Sequence, residues 1–187
     1  MSRIPQLSEA ELNTAQRTTY DAILKSRGSI SGPFRIWLHS PEFAQRAQSL
    51  GEFARYNTSL EPRQSELAIL LTARSLNCQV EWSLHERFAL EAGLNAAVID
   101  CIRDHKEPDF SAPDEKAIYD FSAELLRENF VQDLTFQAAQ AHLGGHGVVE
   151  LVGIIGYYNL VAMTLNAFQV PLPGDAQALL PDCPTFT

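Results

Sequence analysis

Apolar residues recur along this chain at intervals of three and four positions, the pattern of helices that bury one face. The segment EPRQSELAILLTARSL, for example, forms an apolar face from Leu67, Ala68, Leu70 and Leu71. No run alternates between apolar and polar residues for long enough to predict a strand. The pattern therefore predicts an all-α fold.

Capping residues indicate where several of these helices begin and end. Ser8 and Glu11 have the spacing of a capping box ahead of the segment LNTAQRTTYDAIL. Asn77 is the predicted N-cap of a helix over residues 78–92, and Gly93 follows where a helix-ending glycine belongs.

The most apolar stretch, VVELVGIIGYYNLVAMTLNAF, covers residues 148–168 and follows a GGHG cluster that ends the preceding helix. It is long enough to span a membrane, but Glu150, Asn159 and Asn166 interrupt its apolar character. We interpret it as a buried core helix, because a helix that is apolar on all sides belongs inside a protein. The sequence thus predicts no membrane association.

Length and charge narrow the class of protein. The 187 residues suit one domain, residues 1–187, with an N-terminal helical extension at 1–30 and a C-terminal tail at 171–187. A net charge of −9 argues against nucleic acid or an anionic membrane as partner, since both attract a basic surface. A small anionic substrate remains compatible, because one local arginine can outweigh a distant net charge.

The three cysteines, Cys78, Cys101 and Cys183, are too few and too scattered for a disulfide scaffold. A reducing compartment suits such a set, and the N-terminal MSRIPQLSEAEL lacks the apolar segment of a secretory signal. We therefore expect a cytoplasmic protein.

Candidate chemistry concentrates in LNCQVEWSLH, which ends at His85. On one helix, Cys78, Glu81 and His85 fall within a narrow sector, because positions three, four and seven apart share a face. Glu81 can then orient His85, and Cys78 lies in the first helical turn, where free N–H groups favour a thiolate. Glu66, on the preceding helix, can fold back toward the same place.

A structural interpretation of the same residues stands beside the functional one. A lone cysteine on an apolar face is commonly a small buried hydrophobe, and a Glu–His pair four apart is commonly a solvated surface pair. A metal site is not expected, because the chain has neither an HExxH motif nor a Glu-x-x-His pair.

The segment RQSELAILLTARSLNCQVEWSLHERFALEAGL resembles the core of the carboxymuconolactone decarboxylase and alkyl hydroperoxidase D superfamily. That core pairs a Glu on one helix with a Cys-x-x-Cys or Glu-x-x-x-His run on the next. Glu66, Cys78, Trp82, His85 and the AGL after the helix agree with it together. The resemblance extends loosely from GPFRIWLHSPEF to LNAFQVPLP.

The resemblance implies an alkyl hydroperoxidase D-like helical bundle that assembles as a homo-oligomer, with trimers or hexamers common and a dimer compatible. It implies no cofactor and no metal. In the peroxidase branch two cysteines cycle through a disulfide, whereas Glu81 occupies the second position here. The decarboxylase branch carries Glu-x-x-x-His at this point, and Glu81 with His85 reproduces it.

The leading hypothesis is an enzyme that moves protons on a small carboxylated or enolisable molecule, as a carboxymuconolactone decarboxylase-like lyase does. His85 is its general acid or base and Glu81 orients it. Glu66 is expected to be pushed toward protonation by burial and by the like charge of Glu81, and so to relay a proton. Trp82 is the expected apolar wall for the substrate. One of Arg55, Arg63 and Arg74 is expected to hold its carboxylate.

Two alternatives stay open. In the first, Cys78 is the nucleophile of a single-cysteine alkyl hydroperoxidase or peroxiredoxin, Glu66 and His85 relay its proton, and an external thiol resolves the sulfenic acid. In the second, the chain is a non-catalytic helical assembly module in which the cysteine and histidine are only packed.

Overall fold

The computed structural model describes residues 2–174, 176–181 and 183. Within that part of the chain, eight α-helices and no β-strand follow one another, which confirms the predicted all-α class. A 3-10 turn at Glu9–Glu11 precedes them. The helices are α1 (Thr14–Arg27), α2 (Phe34–Trp37), α3 (Pro41–Tyr56), α4 (Pro62–Ser75), α5 (Gln79–Glu91), α6 (Ala96–Arg103), α7 (Pro113–Glu128) and α8 (Asp133–Ala167).

Helix α4 is the centre of the bundle. Every residue from Gln64 to Arg74 is buried, and α4 packs against α5, α7 and α8. A helix with neighbours on so many sides needs apolar residues all around it. The run ELAILLTA meets that need, and the hydroxyl of Thr72 is satisfied by donating to the Ala68 carbonyl at 2.8 Å. The buried polar side chains of α4 lie mainly toward its two ends, and Glu66 is one of them.

The N-terminal helix begins later than its first capping signal. Ser8 and Glu11 do form a capping box, but it closes only the 3-10 turn. A second box caps α1, in which the Asn13 side chain accepts from the Gln16 N–H and the Gln16 side chain accepts from the Asn13 N–H, both at 3.0 Å. Helix α1 then packs along α3.

The last helix, α8, crosses the back of the bundle. It bends at Gly144, whose φ of 67° and ψ of 172° are not helical, at the glycine cluster that the sequence marks as a helix end. Its length and composition would let it cross a membrane, but 61% of its most apolar 18-residue stretch is buried in the protein. It packs against α3, α4, α5 and α7, as expected for the core helix of a soluble protein.

Candidate active site

A three-residue turn sets helices α4 and α5 side by side. Asn77 takes a left-handed conformation, with φ of 50°, and the N–H of Cys78 returns to the Ala73 carbonyl at 2.9 Å. Asn166 of α8 donates to the Leu76 carbonyl at 2.8 Å and holds the turn in place. Asn77 thus belongs to the turn, and the N-cap that was predicted there is Cys78 instead.

This arrangement places His85 between two carboxylates. Its Nδ1 lies 2.7 Å from Glu66 Oε2, and its Nε2 lies 3.0 Å from Glu81 Oε1. The exposed fractions of Glu66, Glu81 and His85 are only 4%, 5% and 4%. Both nitrogens of a buried imidazole are therefore occupied by carboxylate oxygens.

Arg55 of α3 extends the set by one more charge. Its Nη1 donates to Glu66 Oε1, and its guanidinium lies 4.6 Å from the centroid of the Phe88 ring. We call Arg55, Glu66, His85 and Glu81 the charge chain. Its signs alternate from one member to the next, so with His85 protonated the four charges cancel.

The pKa values of His85 and Glu66 shift in favour of their charged forms. Burial by itself would lower the pKa of His85. The charge of Glu81, together with the hydrogen bonds that protonated His85 donates to Glu66 and Glu81, outweighs burial and raises the pKa. Burial would likewise raise the pKa of Glu66, yet His85 and Arg55 lower it. The expected protonation of Glu66 is therefore wrong, because two cations contact this carboxyl group.

Two aromatic rings fix the orientation of the imidazole. The Tyr158 ring lies 5.0 Å from the His85 ring at 82°, and the Phe88 ring lies 5.7 Å away at 73°. Both are edge-to-face contacts, which stabilise such pairs beyond their buried area. Burial holds the pKa of Tyr158 well above its ordinary value, so this phenol stays protonated beside the charge chain.

A cavity of about 630 Å³ opens at the end of the charge chain. Its volume is within the range of small-molecule sites. Glu81 and His85 reach it, whereas Glu66 lies behind His85 and is not among the described residues at its wall. The wall is mainly aromatic and aliphatic around Leu84, Phe88, Tyr157, Tyr158, Val161 and Leu165, with Arg27, Arg35, Arg55 and Arg87 also present.

Cys78 does not share the face of Glu81 and His85. As an N-cap it has extended backbone angles, φ −92° and ψ 98°, so the helical spacing that predicted a shared face does not apply to it. It is fully buried and absent from the described cavity wall. The tail covers the start of α5 nearby, where the N–H groups of Leu179 and Leu180 donate to Gln79 Oε1 at 3.0 and 3.1 Å.

The thiol of Cys78 is held in its neutral form. Burial, and then the charge of Glu81, raise its pKa to about 12, against the opposing effect of the Val80 and Glu81 N–H groups. From the sequence alone, only the charge of Glu81, which raises the pKa of Cys78, and the free N–H groups, which lower it, could be anticipated. Burial decides the outcome, since a dry environment disfavours a thiolate.

Trp82 packs into the core instead of walling the cavity. It is fully buried and is not among the described cavity residues. Its Nε1 donates to Glu86 Oε2 at 3.2 Å, and the guanidinium of Arg103 lies 5.9 Å from its ring. The apolar wall that was expected from Trp82 is formed instead by Phe88, Tyr157 and Tyr158, which the sequence did not identify.

The three arginines considered for substrate binding are all engaged elsewhere. Arg63 donates to Asp114 at 2.7 Å and to Glu115 at 2.8 Å, and Arg74 donates to the Arg103 carbonyl at 2.8 Å. Arg55 is the one of the three that reaches the cavity, and its partner is Glu66.

The charge chain has no ring nitrogen left for a metal ion, because both nitrogens of His85 face carboxylates. Among the described residues, no group of three or more His, Cys, Asp and Glu side chains is arranged to hold a metal.

One family model matches the chain. The model of the Carboxymuconolactone decarboxylase family covers residues 41–124, which include Arg55, Glu66 and the whole of α4 and α5. No curated protein matches the chain significantly.

Several solved structures share this fold at low sequence identity. A peroxidase-related protein with an alkylhydroperoxidase AhpD core from Ralstonia eutropha JMP134 superposes with a TM-score of 0.76 at 17% identity, over 93% of each chain. The debrominase Bmp8 gives 0.74 at 12% identity over 94% of each chain. An AhpD-like protein of unknown function from Agrobacterium tumefaciens gives 0.67 at 18% identity, over 78% of this chain and all of its own.

We predict that Cys78 resists alkylation in the folded protein. Its thiol is buried and its pKa is about 12, whereas Cys101 is partly exposed. Iodoacetamide at neutral pH should therefore label Cys101 at least about tenfold faster, since only the thiolate reacts. Mass spectrometry of tryptic peptides measures both rates, and labelling in urea is the control. Equal native rates would contradict the buried-thiol description.

We also predict that the charge chain makes stability depend on pH. The raised pKa of His85 stabilises the fold fully below about 6.5, and this contribution is lost as pH rises through its folded pKa. The lowered pKa of Glu66 stabilises fully above about 4.3 and is lost as pH falls through its folded pKa. Their joint contribution is therefore largest between these two values.

Urea unfolding from pH 5.5 to pH 8.5 tests this. Above pH 6.5, the free energy of unfolding of the wild type should fall by about 1.4 kcal/mol for each pH unit by which the folded His85 pKa exceeds 6.5. The His85→Gln side chain cannot titrate, so this variant should be less stable, and its free energy of unfolding should change less with pH. The pH dependence of Glu81→Gln should lie between those of wild type and His85→Gln. Parallel curves for wild type and His85→Gln would show that His85 is not the titrating group.

Proposed function

We propose that this chain is a carboxymuconolactone decarboxylase-like enzyme, and the match of that family's model to residues 41–124 supports the proposal. Its reaction is proton transfer on a small carboxylated or enolisable molecule bound in the 630 Å³ cavity. The observation that carries the proposal is His85, clamped between two carboxylates at the cavity wall. No cofactor is required for that chemistry.

In this proposal Glu81 and His85 act as one acid–base pair. Glu81 uses Oε1 for His85, which leaves its second oxygen for a substrate in the cavity. A proton taken by Glu81 can be shared with His85 across 3.0 Å, and one held by His85 can be returned the same way. Glu66 and Arg55 are positioning residues: Glu66 orients His85 and holds it charged from behind, and Arg55, although it reaches the cavity, is engaged by Glu66.

For a decarboxylation, the carbon–carbon bond to the substrate carboxylate breaks and carbon dioxide leaves. The electron pair stays on the substrate carbon and spreads into an adjacent carbonyl as an enolate. The Glu81–His85 pair then protonates that carbon and recovers a proton from solvent. An apolar wall such as Phe88 favours this step, because it destabilises the carboxylate more than neutral carbon dioxide.

A single-cysteine peroxidase is the second candidate, and the similarity to the peroxidase-related protein from Ralstonia eutropha favours it. It requires Cys78 to be an accessible thiolate. Full burial and a pKa of about 12 oppose that role. A non-catalytic module is opposed by the charge chain itself, since burying four charges carries a large solvation cost that a purely structural core avoids with apolar residues.

We propose a soluble cytoplasmic protein whose main partner is a small molecule, with neither nucleic acid nor membrane as ligand. The charge of −9 and the small number of cysteines support this placement.

We further propose a homo-oligomer, a trimer or a hexamer, built on the α8 apolar face. This face consists of Val149, Val152, Gly153, Gly156 and Met163, which lie within about 100° of one another around the helix. Val149 is 72% exposed, and open space surrounds both glycines. Exposed apolar residues grouped on one face are typical of a contact surface.

We predict that activity follows the acid–base pair and not the cysteine. The assay offers unsaturated lactone carboxylic acids and β-keto acids, and measures carbon dioxide release and deuterium uptake at carbon. His85→Ala and Glu81→Gln should lower kcat about 100-fold or more, as expected for a positioned acid or base. Cys78→Ser should stay within about tenfold of wild type.

A parallel assay with tert-butyl hydroperoxide and dithiothreitol decides for the second candidate. Peroxide consumption that is lost in Cys78→Ser but kept in His85→Ala would overturn the acid–base assignment. Thermal melting of each variant separates lost chemistry from lost folding.

The oligomer has its own prediction. Wild type should elute in light-scattering chromatography at three or six times the mass of one chain, and Val149→Asp should shift it toward the monomer, because a buried unpaired charge opposes assembly. Leu90→Asp, at an exposed apolar position of α5, is the matched control and should leave the mass unchanged. A monomeric wild type would contradict the proposal.

A further inference from the structure

We propose that Arg27 is the anion-binding residue of the cavity and that it holds a carboxylate group of the ligand. The inference deepens the proposed function, because it concerns the same cavity and names the chemical class of what binds there. It involves a residue outside the segment that the family model matches, since Arg27 ends α1 and the match begins at residue 41.

The guanidinium of Arg27 is partly buried and has two nitrogen atoms without a partner. Its Nε and Nη2 atoms are shielded, and neither forms a hydrogen bond with any described residue. Leaving a buried polar group unsatisfied is costly, more so for a charged one. Arg27 also lines the cavity, so a ligand there can approach the guanidinium and supply an acceptor.

Aromatic rings hold this guanidinium ready for a ligand. Its carbon lies 4.6 Å from the centroid of the Phe34 ring and 6.0 Å from that of Tyr56. Such contacts stabilise a planar cation while its edges stay available for hydrogen bonds. Arg27 is therefore preorganised, and less entropy is lost when it binds.

Gly51 on α3 has no side chain, which leaves space for Arg27 and the hydroxyl of Tyr157 to lie close together. A Cβ added at Gly51 would lie 2.1 Å from the hydroxyl of Tyr157 and 2.8 Å from Nη2 of Arg27. The two groups therefore lie side by side against Gly51. Burial raises the pKa of Tyr157 to about 12, so its hydroxyl keeps a proton to donate.

The other arginines at the cavity already have partners. Arg55 binds Glu66, Arg87 lies 3.5 Å from Glu91, and Arg35 donates to the Ile30 carbonyl at 3.3 Å. Arg35 has backbone carbonyls as partners and no counter-ion, whereas Arg27 has neither a carboxylate nor a carbonyl acceptor among the described residues.

The charges of the cavity point to an anion. The charge chain is neutral with His85 protonated, and Arg87 is balanced by Glu91. Arg27 and Arg35 then add positive charge without a carboxylate partner among the described residues, which favours an anionic ligand. A guanidinium edge matches the two oxygens of a carboxylate in a bidentate pair. The apolar rings around the cavity accommodate the rest of such a molecule.

Benzoate, which joins a planar carboxylate to an apolar ring, is a direct probe. Calorimetric titration of the full-length protein with benzoate should show saturable binding. Arg27→Gln should weaken that binding tenfold or more, and Arg27→Lys should weaken it less, since it keeps the charge but loses the bidentate edge. Arg87→Gln is the matched control: it removes the same charge from the same wall, and its dissociation constant should stay within about twofold of wild type.

Benzamide tests for charge, because it has nearly the same shape but is neutral. It should bind wild type no more tightly than benzoate binds Arg27→Gln. Nitrogen-15 NMR of wild type provides a measurement that no variant can compromise by misfolding. The Arg27 Nε signal, assigned by its loss in Arg27→Lys, should move with benzoate and not with benzamide.

Equal weakening by Arg27→Gln and Arg87→Gln, or benzoate that fails to saturate wild type at millimolar concentrations, would overturn the inference. The experiment is separable from the proposed function, because binding does not require proton transfer. Full turnover in His85→Ala would refute the acid–base assignment and leave an Arg27 effect on benzoate standing. Unchanged benzoate binding in Arg27→Gln, with turnover lost in His85→Ala, would do the reverse.

Discussion

Four alternating charges inside the bundle set the strongest constraint on this structure. Each of Arg55, Glu66, His85 and Glu81 would be costly to bury alone, because water solvates a charge far better than a protein interior does. Together they cancel, and each lies against an opposite charge. The cancellation holds only while α3, α4 and α5 keep their mutual positions, so the packing of three helices and the protonation of His85 depend on each other.

The same dry surroundings favour the neutral forms of both His85 and Cys78, but neighbouring charges make the outcomes differ. For His85, burial alone would favour the neutral ring, and two carboxylates reverse that effect. For Cys78, burial and the charge of Glu81 act together and keep its thiol protonated. One environment thus favours proton transfer at His85 and suppresses nucleophilic chemistry at Cys78, although only seven positions separate them.

Much of this arrangement could be predicted from the sequence, because it depends on local rules. Helix periodicity yields the all-α class, and the spacing of Glu81 and His85 yields their contact. The contact of Glu66 with His85 requires only that α4 and α5 fold back on each other. Cys78 escaped the helical rule, because an N-cap residue leaves the helical path.

Tertiary contacts account for the rest. Arg55 is near Glu66 only because α3 packs against the central helices, and no short-range spacing encodes this. Trp82 is one position from Glu81 and so points about 100° away around the helix, and only the bundle determines that this direction is core. Tyr157 and Tyr158 were part of an apolar run whose inward-facing side the sequence leaves undetermined.

The chemistry and the recognition of ligand therefore come from different parts of the chain. The charge chain lies wholly within residues 41–124, the segment that the family model matches. Much of the cavity wall opposite it lies outside that segment, on α1, on the loop that follows and on α8. Substitutions in those outer elements can reshape the cavity without disturbing the four balanced charges. A substitution within the charge chain, by contrast, leaves a buried charge unpaired. A bundle divided in this way can keep one acid–base pair while its outer helices determine which molecule reaches it.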